Sequence, residues 1–183
     1  MKVNILLSTY NGEQYLAEQV KSIQEQTYQE WELLIRDDGS SDGTVELIKQ
    51  LATRDSRIHF INENHIENVG VIKSFHALLK HGEADLYCFS DQDDFWLPEK
   101  ISLQVAEAKK YSQDKPLLIY TDLKVVDENL SVLHDSMIRT QSDHANTELI
   151  QELTENTVTG GVAMINHALA ELWTGEEKHD LLM

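Results

Sequence analysis

Short apolar runs alternate with helix-like apolar stripes along the first part of the chain. Residues 3–7 form the first run, and Leu16, Val20 and Ile23 follow at the i, i+4, i+7 spacing of one helix face. The alternation recurs three more times and predicts four successive strand and helix units. Strands are predicted over 3–7, 31–35, 58–61 and 85–89, and helices over 16–23, 44–53, 71–79 and 98–111.

The predicted strands are too uniformly apolar to present a solvent-facing side. Such strands indicate a parallel sheet covered by helices, so the chain is expected to adopt an open, doubly wound α/β fold. After Pro116 the pattern changes to strands over 117–126 and 131–133, a helix over 147–153, a strand over 161–165 and a helix over 167–173. No repeat or linker-like segment interrupts the sequence, and residues 1–183 are therefore predicted to form one domain.

Polar clusters follow three of the predicted strands, at 8–12, 37–43 and 91–94. Ligands of open parallel sheets bind beyond the carboxyl ends of the strands, where these clusters would converge. Mutual repulsion makes such a concentration of carboxylates costly unless a cation neutralises it. Oxygen ligands suit Mg²⁺ or Mn²⁺, which would also bridge the phosphates of a nucleotide. The converging carboxylates are those of Asp37, Asp38, Asp91, Asp93 and Asp94.

Some of these acids also have the positions of turn and capping residues. Asp38, Ser40 and Asp42 precede the helix predicted to begin at Thr44, and for Asp42 capping is as well supported as ligand binding. Three carboxylates within 91–94, in contrast, exceed what one helix cap requires. The acidic segment 91–94 is therefore the stronger candidate for a metal site.

Composition and charge narrow the classes of partner. The chain has 32 acidic and 15 basic residues in 183, a formal charge of −17 that disfavours nucleic acids and anionic membrane surfaces. No apolar run approaches the roughly 20 residues that span a bilayer, so no transmembrane segment is predicted. Cys88 is the single cysteine, which excludes an intrachain disulfide and favours a cytoplasmic location.

Several familiar ligand-binding motifs do not fit. The segment from Asp38 is similar in spacing to a calcium-binding loop, but its twelfth position is Lys49 where a bidentate glutamate is needed. No glycine-rich loop carries a following Lys-Ser or Lys-Thr, and no three-glycine dinucleotide fingerprint follows the first strand. The scattered histidines do not suggest a zinc site.

The remaining motifs occur in a characteristic order. They are the segments 8–12 and 37–44, Asn68-Val69-Gly70, the segment 90–94 with Trp96, Pro98 and Lys100, and Thr159-Gly160-Gly161. This set resembles the family 2 glycosyltransferases with a GT-A fold, and the resemblance covers the whole chain. The sequence Asp-Gln-Asp-Asp-Phe-Trp at 91–96 and the late His179-Asp180 are most similar to the rhamnosyltransferase-like branch that builds bacterial surface polysaccharides.

The resemblance implies a metal-dependent, inverting transfer of a sugar, with rhamnose as one candidate. The donor would be a UDP- or dTDP-linked sugar, and the acceptor a saccharide or a lipid-linked saccharide. Thr9 and Tyr10 would contact the base, Asp38 and Asp37 the pyrimidine, and Asp91 the ribose. Asp93 would ligate Mg²⁺ or Mn²⁺, with Asp91 and Asp94 beside it. The implied nucleotide-sugar site comprises Ser8, Thr9, Tyr10, Asp37, Asp38, Lys73, Asp91, Gln92, Gly160 and Gly161.

Three of the implied roles have direct alternatives. Lys73 is added as a candidate for a diphosphate contact because it lies one turn into the helix after Gly70, although a solvated helix lysine is the better-supported alternative. Gly160 and Gly161 resemble backbone that lies near the sugar and acceptor, but glycines entering a strand also mark bulges. Asp180 matches the general base that takes the acceptor hydroxyl's proton, while the alternative is a solvated residue near the end of the chain.

Two other functions are retained as alternatives. One is a nucleotide-sugar-binding domain without turnover, and the other is a sugar-nucleotide pyrophosphorylase, which usually carries a glycine-rich basic loop that 8–12 does not match. The chain is expected to lack a C-terminal region that shapes the acceptor site and approaches the membrane. In a longer form, the protein is expected at the cytoplasmic face of that membrane.

Overall fold

A computed structural model describes residues 1–141 and 158–175. Within them, eight strands form a six-stranded sheet in the order β3-β2-β1-β4-β8-β5 and a separate hairpin of β6 and β7. The strands are β1 (Val3–Thr9), β2 (Trp31–Asp37), β3 (Ile58–Phe60), β4 (Leu86–Ser90), β5 (Leu118–Tyr120), β6 (Val125–Val126), β7 (Val132–His134) and β8 (Ala163–Asn166).

Helices connect the strands and cover the sheet. They are α1 (Leu16–Gln24), α2 (Thr44–Arg54), α3 (Val71–His81), α4 (Lys100–Ala108), α5 (Ile138–Gln141) and α6 (His167–Gly175). Strands β1 to β4 pair in parallel, whereas β8 is antiparallel to both β4 and β5. The predicted α/β architecture with a mostly parallel sheet is thereby confirmed. In the part of the chain described, no helix is long and apolar enough to cross a membrane.

The central strand β1 contributes side chains to two cores because successive residues of a strand point to opposite faces. Ile5 and Leu7 lie in one core with α1, α2 and α4, and Leu6 lies in the other core with α3 and α6. All three side chains have no exposed surface. Burial on both faces explains why β1 lacks the polar alternation of a half-exposed strand.

The region after α4 departs from the sequence prediction. The predicted strand over 117–126 is divided into β5 and β6, because Asp122 turns away from strand pairing. Its carboxylate accepts hydrogen bonds from the N–H groups of Met137 and Ile138 at the start of α5, both at 3.1 Å. Helix α5 itself was not predicted. The helix predicted over 147–153 lies outside the described residues.

The strand predicted over 161–165 begins later than expected. A 3₁₀ turn covers Gly160–Val162, and β8 follows it. At the far end of β8, the buried side chain of Asn166 accepts the N–H of Leu117 at 2.9 Å and donates to the carbonyls of Gln113 and Lys115. These bonds hold β5 beside β8 and leave the turn at Gly160–Val162 at the opposite end of the strand, near the carboxyl end of β4.

We expect the central strand to be the least tolerant part of the fold. Replacing Ile5 by alanine removes a fully buried side chain and should lower the free energy of unfolding by about 2–5 kcal/mol in urea denaturation. Leu103→Ala is the control, since Leu103 on α4 is 65% exposed and its loss should cost less than about 0.5 kcal/mol. Equal effects of the two substitutions would contradict the placement of the core.

Candidate functional site

The carboxyl ends of β1, β2 and β4 lie side by side. Strand β1 pairs in parallel with β2 from Val3 to Thr9 and with β4 from Val3 to Leu7. The polar segments 8–12, 37–43 and 91–94 therefore leave the same edge of the sheet, as the sequence pattern predicted. The segments are called here the β1 loop, the β2 loop and the acidic loop.

The β1 and β2 loops are joined by hydrogen bonds. The Asn11 N–H donates to Ser40 Oγ at 2.8 Å, the Asn11 Oδ1 accepts the Ser41 N–H at 2.9 Å, and the Gly12 N–H donates to Thr44 Oγ1 at 2.8 Å. Asn11 has a φ of +50°, a left-handed conformation that asparagine tolerates better than most residues. These contacts hold the two loops as one unit.

Two aspartates of the β2 loop stabilise its turn. The carboxylate of buried Asp37 accepts the N–H groups of Gly39 at 3.0 Å and Ser40 at 2.8 Å. The carboxylate of Asp42 accepts the N–H of Thr44 at 3.1 Å, the first residue of α2, and hydrogen bonds from side-chain and backbone donors lower its pKa. Asp42 therefore stabilises the turn that precedes α2, whose N-cap residue is Gly43 and which has no side-chain cap hydrogen bond.

Asp38 is paired with a buried cation. Arg36 Nη1 lies 2.8 Å from Asp38 Oδ1, and the same carboxylate accepts the N–H groups of Val69 and Gly70 at 2.8 and 3.0 Å. Arg36 Nη1 also donates to Ser74 Oγ, which in turn accepts from Ser8 Oγ at 2.7 Å. The charge of Asp38 is thus compensated within the protein, and the network fixes Ser8 and the start of α3 around it.

The acidic loop has no comparable compensation. Desolvation, with the charges of Asp91 and Asp93 in addition, raises the pKa of Asp94 to about 6. The pKa of Asp91 is also raised, first by desolvation and then by Asp93. Both shifts mean that burial, and in addition the neighbouring carboxylates, make ionisation unfavourable here. The five carboxylates expected at this edge therefore form two groups, of which the one in the acidic loop retains its repulsion.

Gly161 lies directly against this loop. A Cβ atom at Gly161 would overlap Asp94 Oδ2 and would lie 3.3 Å from Asp91 Oδ2, whereas a Cβ at Gly160 would meet open space. Because glycine has no side chain, position 161 leaves the space that the carboxylates of Asp91 and Asp94 occupy. The structure brings Gly161 and the acidic loop together although they are far apart in the sequence, because β8 pairs with β4.

A lysine lies on the inner side of the acidic loop. Lys100 Nζ is 4.4 Å from the Trp96 ring centroid and donates to Gln104 Oε1 at 3.1 Å. Desolvation lowers the pKa of Lys100, while Cys88 and Asp94 act in the opposite direction. Gln104 in turn donates to the Val162 carbonyl at 2.9 Å. Helix α4 thus supports both the acidic loop and the turn at Gly160–Val162.

The residues at the end of β1 are positioned by the acidic loop. Gln92 Oε1 accepts from Thr9 Oγ1 at 2.6 Å and from the Tyr10 N–H at 2.9 Å, and Gln92 Nε2 donates to the Tyr10 carbonyl at 3.3 Å. Thr9 is buried, but the Tyr10 side chain is 52% exposed. An exposed aromatic ring on a fixed backbone offers a surface against which a planar base could stack.

The donor atoms suit a metal ion that is shared with a ligand. No group of three or more histidine, cysteine, aspartate or glutamate residues is arranged to hold a metal ion by itself within residues 1–141 and 158–175. Mg²⁺ commonly binds one or two carboxylates together with substrate phosphates. The carboxylates beside Gly161, which are only partly compensated, fit that arrangement rather than a cage made by the protein alone.

The predicted roles of two further residues are not decided by these contacts. Lys73 lies exposed on the first turn of α3, and its side chain makes no ion pair with any described residue. Its contact with a diphosphate stays a prediction. Asp180 lies outside the described residues, so its role as a base also stays a prediction.

Two basic residues of the site were not identified from the sequence. Arg36 was not predicted at all, and Lys100 was noted only as part of a motif. Arg36 is the single basic residue in an apolar strand, directly before two aspartates, and a buried cation needs a partner nearby. That signal could have identified the pair with Asp38. The position of Lys100 beneath the acidic loop depends on how α4 packs, for which the local sequence carries no signal.

Solved structures with a similar fold include S. aureus TarS and a mannosyltransferase. S. aureus TarS 1–349 in complex with UDP aligns with 96% of this chain and 48% of its own, with a TM-score of 0.67 and 21% identity. The mannosyltransferase PcManGT of Pyrobaculum calidifontis, in complex with GDP-Man and Mn²⁺, aligns with 57% of this chain and 31% of its own, with a TM-score of 0.52 and 23% identity. These similarities show the fold, which is that of GT-A glycosyltransferases.

Two relatives are similar in sequence. The Escherichia coli UDP-Glc:α-D-GlcNAc-diphosphoundecaprenol β-1,3-glucosyltransferase WfgD is 30% identical over 69% of this chain and 47% of its own length. The Shigella flexneri dTDP-rhamnosyl transferase RfbG is 37% identical over 52% of this chain and 34% of its own length. The chain thus spans less than half the length of these relatives. The similarity to RfbG agrees with the expected likeness to rhamnosyltransferases.

The family assignment rests on nearly the whole chain. The sequence profile of the family described as "Glycosyl transferase family 2" matches residues 4–171, which include the β1 loop, the β2 loop, the acidic loop and the turn at Gly160–Val162. The order of motifs and the architecture agree with that match. The chain therefore belongs to glycosyl transferase family 2.

Proposed function

We propose that this domain binds a pyrimidine nucleoside diphosphate sugar together with a divalent cation, and that it forms the donor half of an inverting glycosyltransferase. The observation that carries the proposal is the acidic loop, whose carboxylates lie beside Gly161 and are only partly compensated by Lys100. A free anionic diphosphate would be repelled there, whereas a metal-bound diphosphate would be attracted. The proposal thus explains how a chain with a formal charge of −17 holds an anionic donor.

The β1 and β2 loops would bind the nucleoside. Tyr10 presents an exposed ring beside buried Thr9, and Asp38 is held near them because its N–H donates to the Thr9 carbonyl at 2.8 Å. The carboxylate of Asp38, oriented by Arg36, is proposed to accept the imino N–H of uracil or thymine. Asp37 would act through the turn that it stabilises rather than through a direct bond.

The acidic loop would bind the ribose and the diphosphate. Asp91 is proposed to contact the ribose and Asp93 to ligate Mg²⁺ or Mn²⁺. Asp94 is next to Asp93 in the chain and would contribute to the negative charge that attracts the cation. When bound, the cation would offset negative charge on the departing diphosphate. Lys100 would limit the repulsion within the loop before the donor arrives, since its ammonium group stabilises ionised Asp94.

The donor and acceptor are proposed from the relatives. WfgD and RfbG are named for UDP-Glc and dTDP-rhamnosyl donors, so we propose a UDP- or dTDP-linked sugar, with rhamnose as one candidate. The name of WfgD includes a diphosphoundecaprenol acceptor. We propose a saccharide or lipid-linked acceptor used in the synthesis of a cell-surface polysaccharide, with the transfer taking place near the backbone of Gly160 and Gly161.

Donor binding is tested by thermal unfolding with nucleotides and metal. UDP or dTDP at about 100 times its Kd should stabilise the protein by about 2.7 kcal/mol when Mn²⁺ or Mg²⁺ is present. For a domain of this size the rise in Tm should be roughly 5–10 °C. ADP should cause a smaller shift, because a purine does not match the Tyr10 and Asp38 site.

Thermal unfolding of variants distinguishes the loss of a metal ligand from the loss of negative charge in general. Asp93→Ala should remove the metal-dependent part of the shift. Asp114→Ala, which removes an exposed aspartate outside the three loops, should keep that part. A wild-type protein whose Tm is unaffected by every nucleoside diphosphate with metal would contradict the donor site.

The burial of Asp94, together with the repulsion within the acidic loop, predicts a pH-dependent stability in the absence of metal. The folded-state pKa of Asp94, about 6, lies above its ordinary value of 3.8, so the folded state holds more protons than the unfolded state between these values. Stability should therefore fall as the pH rises from about 4 to about 6. Asp94→Asn should stabilise the protein at pH 7 by on the order of 1 kcal/mol, after allowance for solvent screening.

The gain from Asp94→Asn should shrink at pH 4, where wild-type Asp94 is largely protonated. Urea denaturation at both pH values with a chelator present measures the difference. Asp114→Asn is the control and should produce no gain that grows with pH. An equal gain from Asp94→Asn at both pH values would show that neither burial of the charge nor repulsion is the cause.

The proposed role of Asp180 as general base is tested by measuring donor binding and sugar transfer separately. Asp180→Asn keeps the size of the side chain but cannot accept the acceptor hydroxyl's proton. In a form of the protein that shows transfer, the variant should retain the nucleotide-dependent rise in Tm and lose turnover by at least about 100-fold. Normal transfer by the variant would place the base elsewhere. Donor binding in a wild-type protein that never transfers a sugar would favour the alternative of a binding domain without turnover.

A further inference from the structure

The side chain of Gln92 has an unusual position for a residue between two proposed ligands. It lies between Asp91 and Asp93 in sequence, yet its amide group is directed to the β1 loop. Its oxygen accepts two hydrogen bonds, from Thr9 Oγ1 and from the Tyr10 N–H, and its nitrogen donates to the Tyr10 carbonyl. Both backbone polar groups of Tyr10 are therefore paired with one side-chain amide.

This pairing leaves one N–H of the Gln92 amide, but neither lone pair of its oxygen, for a hydrogen bond to a nucleotide. An amide oxygen has two lone pairs, and both are used by Thr9 and Tyr10. A nucleotide that bonded to this oxygen would have to displace one of those donors. Gln92 is therefore better suited to hold Tyr10 than to contact the donor itself.

Gly12 provides the space for this arrangement. A Cβ atom at Gly12 would lie 2.5 Å from Gln92 Oε1 and 2.7 Å from Thr9 Oγ1. The β1 loop thus passes close to the amide on a second side, and glycine is the residue that permits the approach. Gln92 is enclosed by the β1 loop rather than resting on its surface.

The contacts join two parts of the site with different tasks. Tyr10 belongs to the part of the site proposed to bind the base, whereas Asp91 and Asp93 are next to Gln92 in the chain and belong to the part proposed to bind the ribose, the diphosphate and the metal. A displacement of the acidic loop would move Gln92, and through two hydrogen bonds it would also move the backbone of Tyr10. Ordering one site therefore orders the other.

We propose that Gln92 is a positioning residue that couples nucleoside binding at Tyr10 to divalent metal binding at the acidic loop. The inference rests on the proposed function, because it assumes that these two sites bind the two ligands. It assigns Gln92 a role through Tyr10, in place of the direct donor contact that the family resemblance implied. Coupling between two sites is reciprocal, so each ligand should tighten the binding of the other by the same factor.

Uridine and Mn²⁺ measure the coupling directly. Uridine has no phosphate with which to ligate the metal, so its effect on Mn²⁺ affinity passes either through its ribose at Asp91 or through Tyr10 and Gln92. Variants that break the Gln92 contact distinguish the two routes, because they leave the ribose contact in place. The Kd for Mn²⁺ is measured by electron paramagnetic resonance of the free ion, with and without saturating uridine. In the wild-type protein we expect uridine to lower this Kd by about fivefold or more.

Gln92→Leu removes the amide and should reduce the effect of uridine to less than twofold. Gln50→Leu is the matched control, since Gln50 is exposed on α2 and, among the residues that the structure describes, its amide bonds to Glu46 of the same helix and to no residue of the site. It should keep the wild-type factor. A purely structural role of Gln92 would lower Tm and both affinities but would leave the ratio of the two Mn²⁺ Kd values unchanged.

Gly12→Ala tests the same contact without altering Gln92. The added methyl group should displace the amide from Tyr10 and should also reduce the factor to less than twofold. The proposal is overturned if Gln92→Leu and Gly12→Ala, both folded, retain the wild-type factor. It is also overturned if the wild-type protein binds UDP with metal but shows no effect of uridine on Mn²⁺. Failure of wild-type protein to bind UDP with metal would instead remove the proposed function on which the inference rests.

Discussion

The parallel pairing of β1 with β2 on one side and β4 on the other is the constraint on which the site depends. It directs three polar segments to one edge of the sheet, although they are separated by tens of residues in the chain. Its register cannot change, because a shift of one residue would exchange the faces of Ile5 and Leu6 and move each into the wrong core. The packing of apolar side chains therefore determines where the carboxylates lie.

Charge compensation divides that edge into two regions with different properties. Asp38 is neutralised by Arg36 and surrounded by backbone donors, so its position is fixed before any ligand binds. The acidic loop keeps its repulsion, opposed from the inner side by Lys100. A rigid region suits recognition of a planar base, and a region with excess negative charge suits a metal-bound diphosphate. Gln92 links the two regions, because it belongs to the acidic loop and pairs with the backbone of Tyr10.

Agreement between sequence and structure is best where structure depends on local pattern. The units from β1 to α4 follow from apolar periodicity, since burial on a sheet or one helix face imposes that spacing. The prediction over 117–126 is right for β5 and β6 but misses the break between them, where the bonds of Asp122 to the start of α5 join residues that no short-range pattern relates. Within the site, the choice between ligand and turn roles for Asp37 and Asp42 required the positions of the N–H groups that they accept.

The sequence by itself determined the α/β class, the three polar loops at the strand ends and the family, because each is encoded in residue types at short spacing. Only the tertiary structure decided which charges meet. It paired Arg36 with Asp38, set Gly161 against Asp91 and Asp94, and placed the amide of Gln92 on Tyr10. Electrostatic and hydrogen-bond energies depend on distances of a few ångströms between residues that are remote in the chain, and those distances arise only when the two cores pack around the sheet.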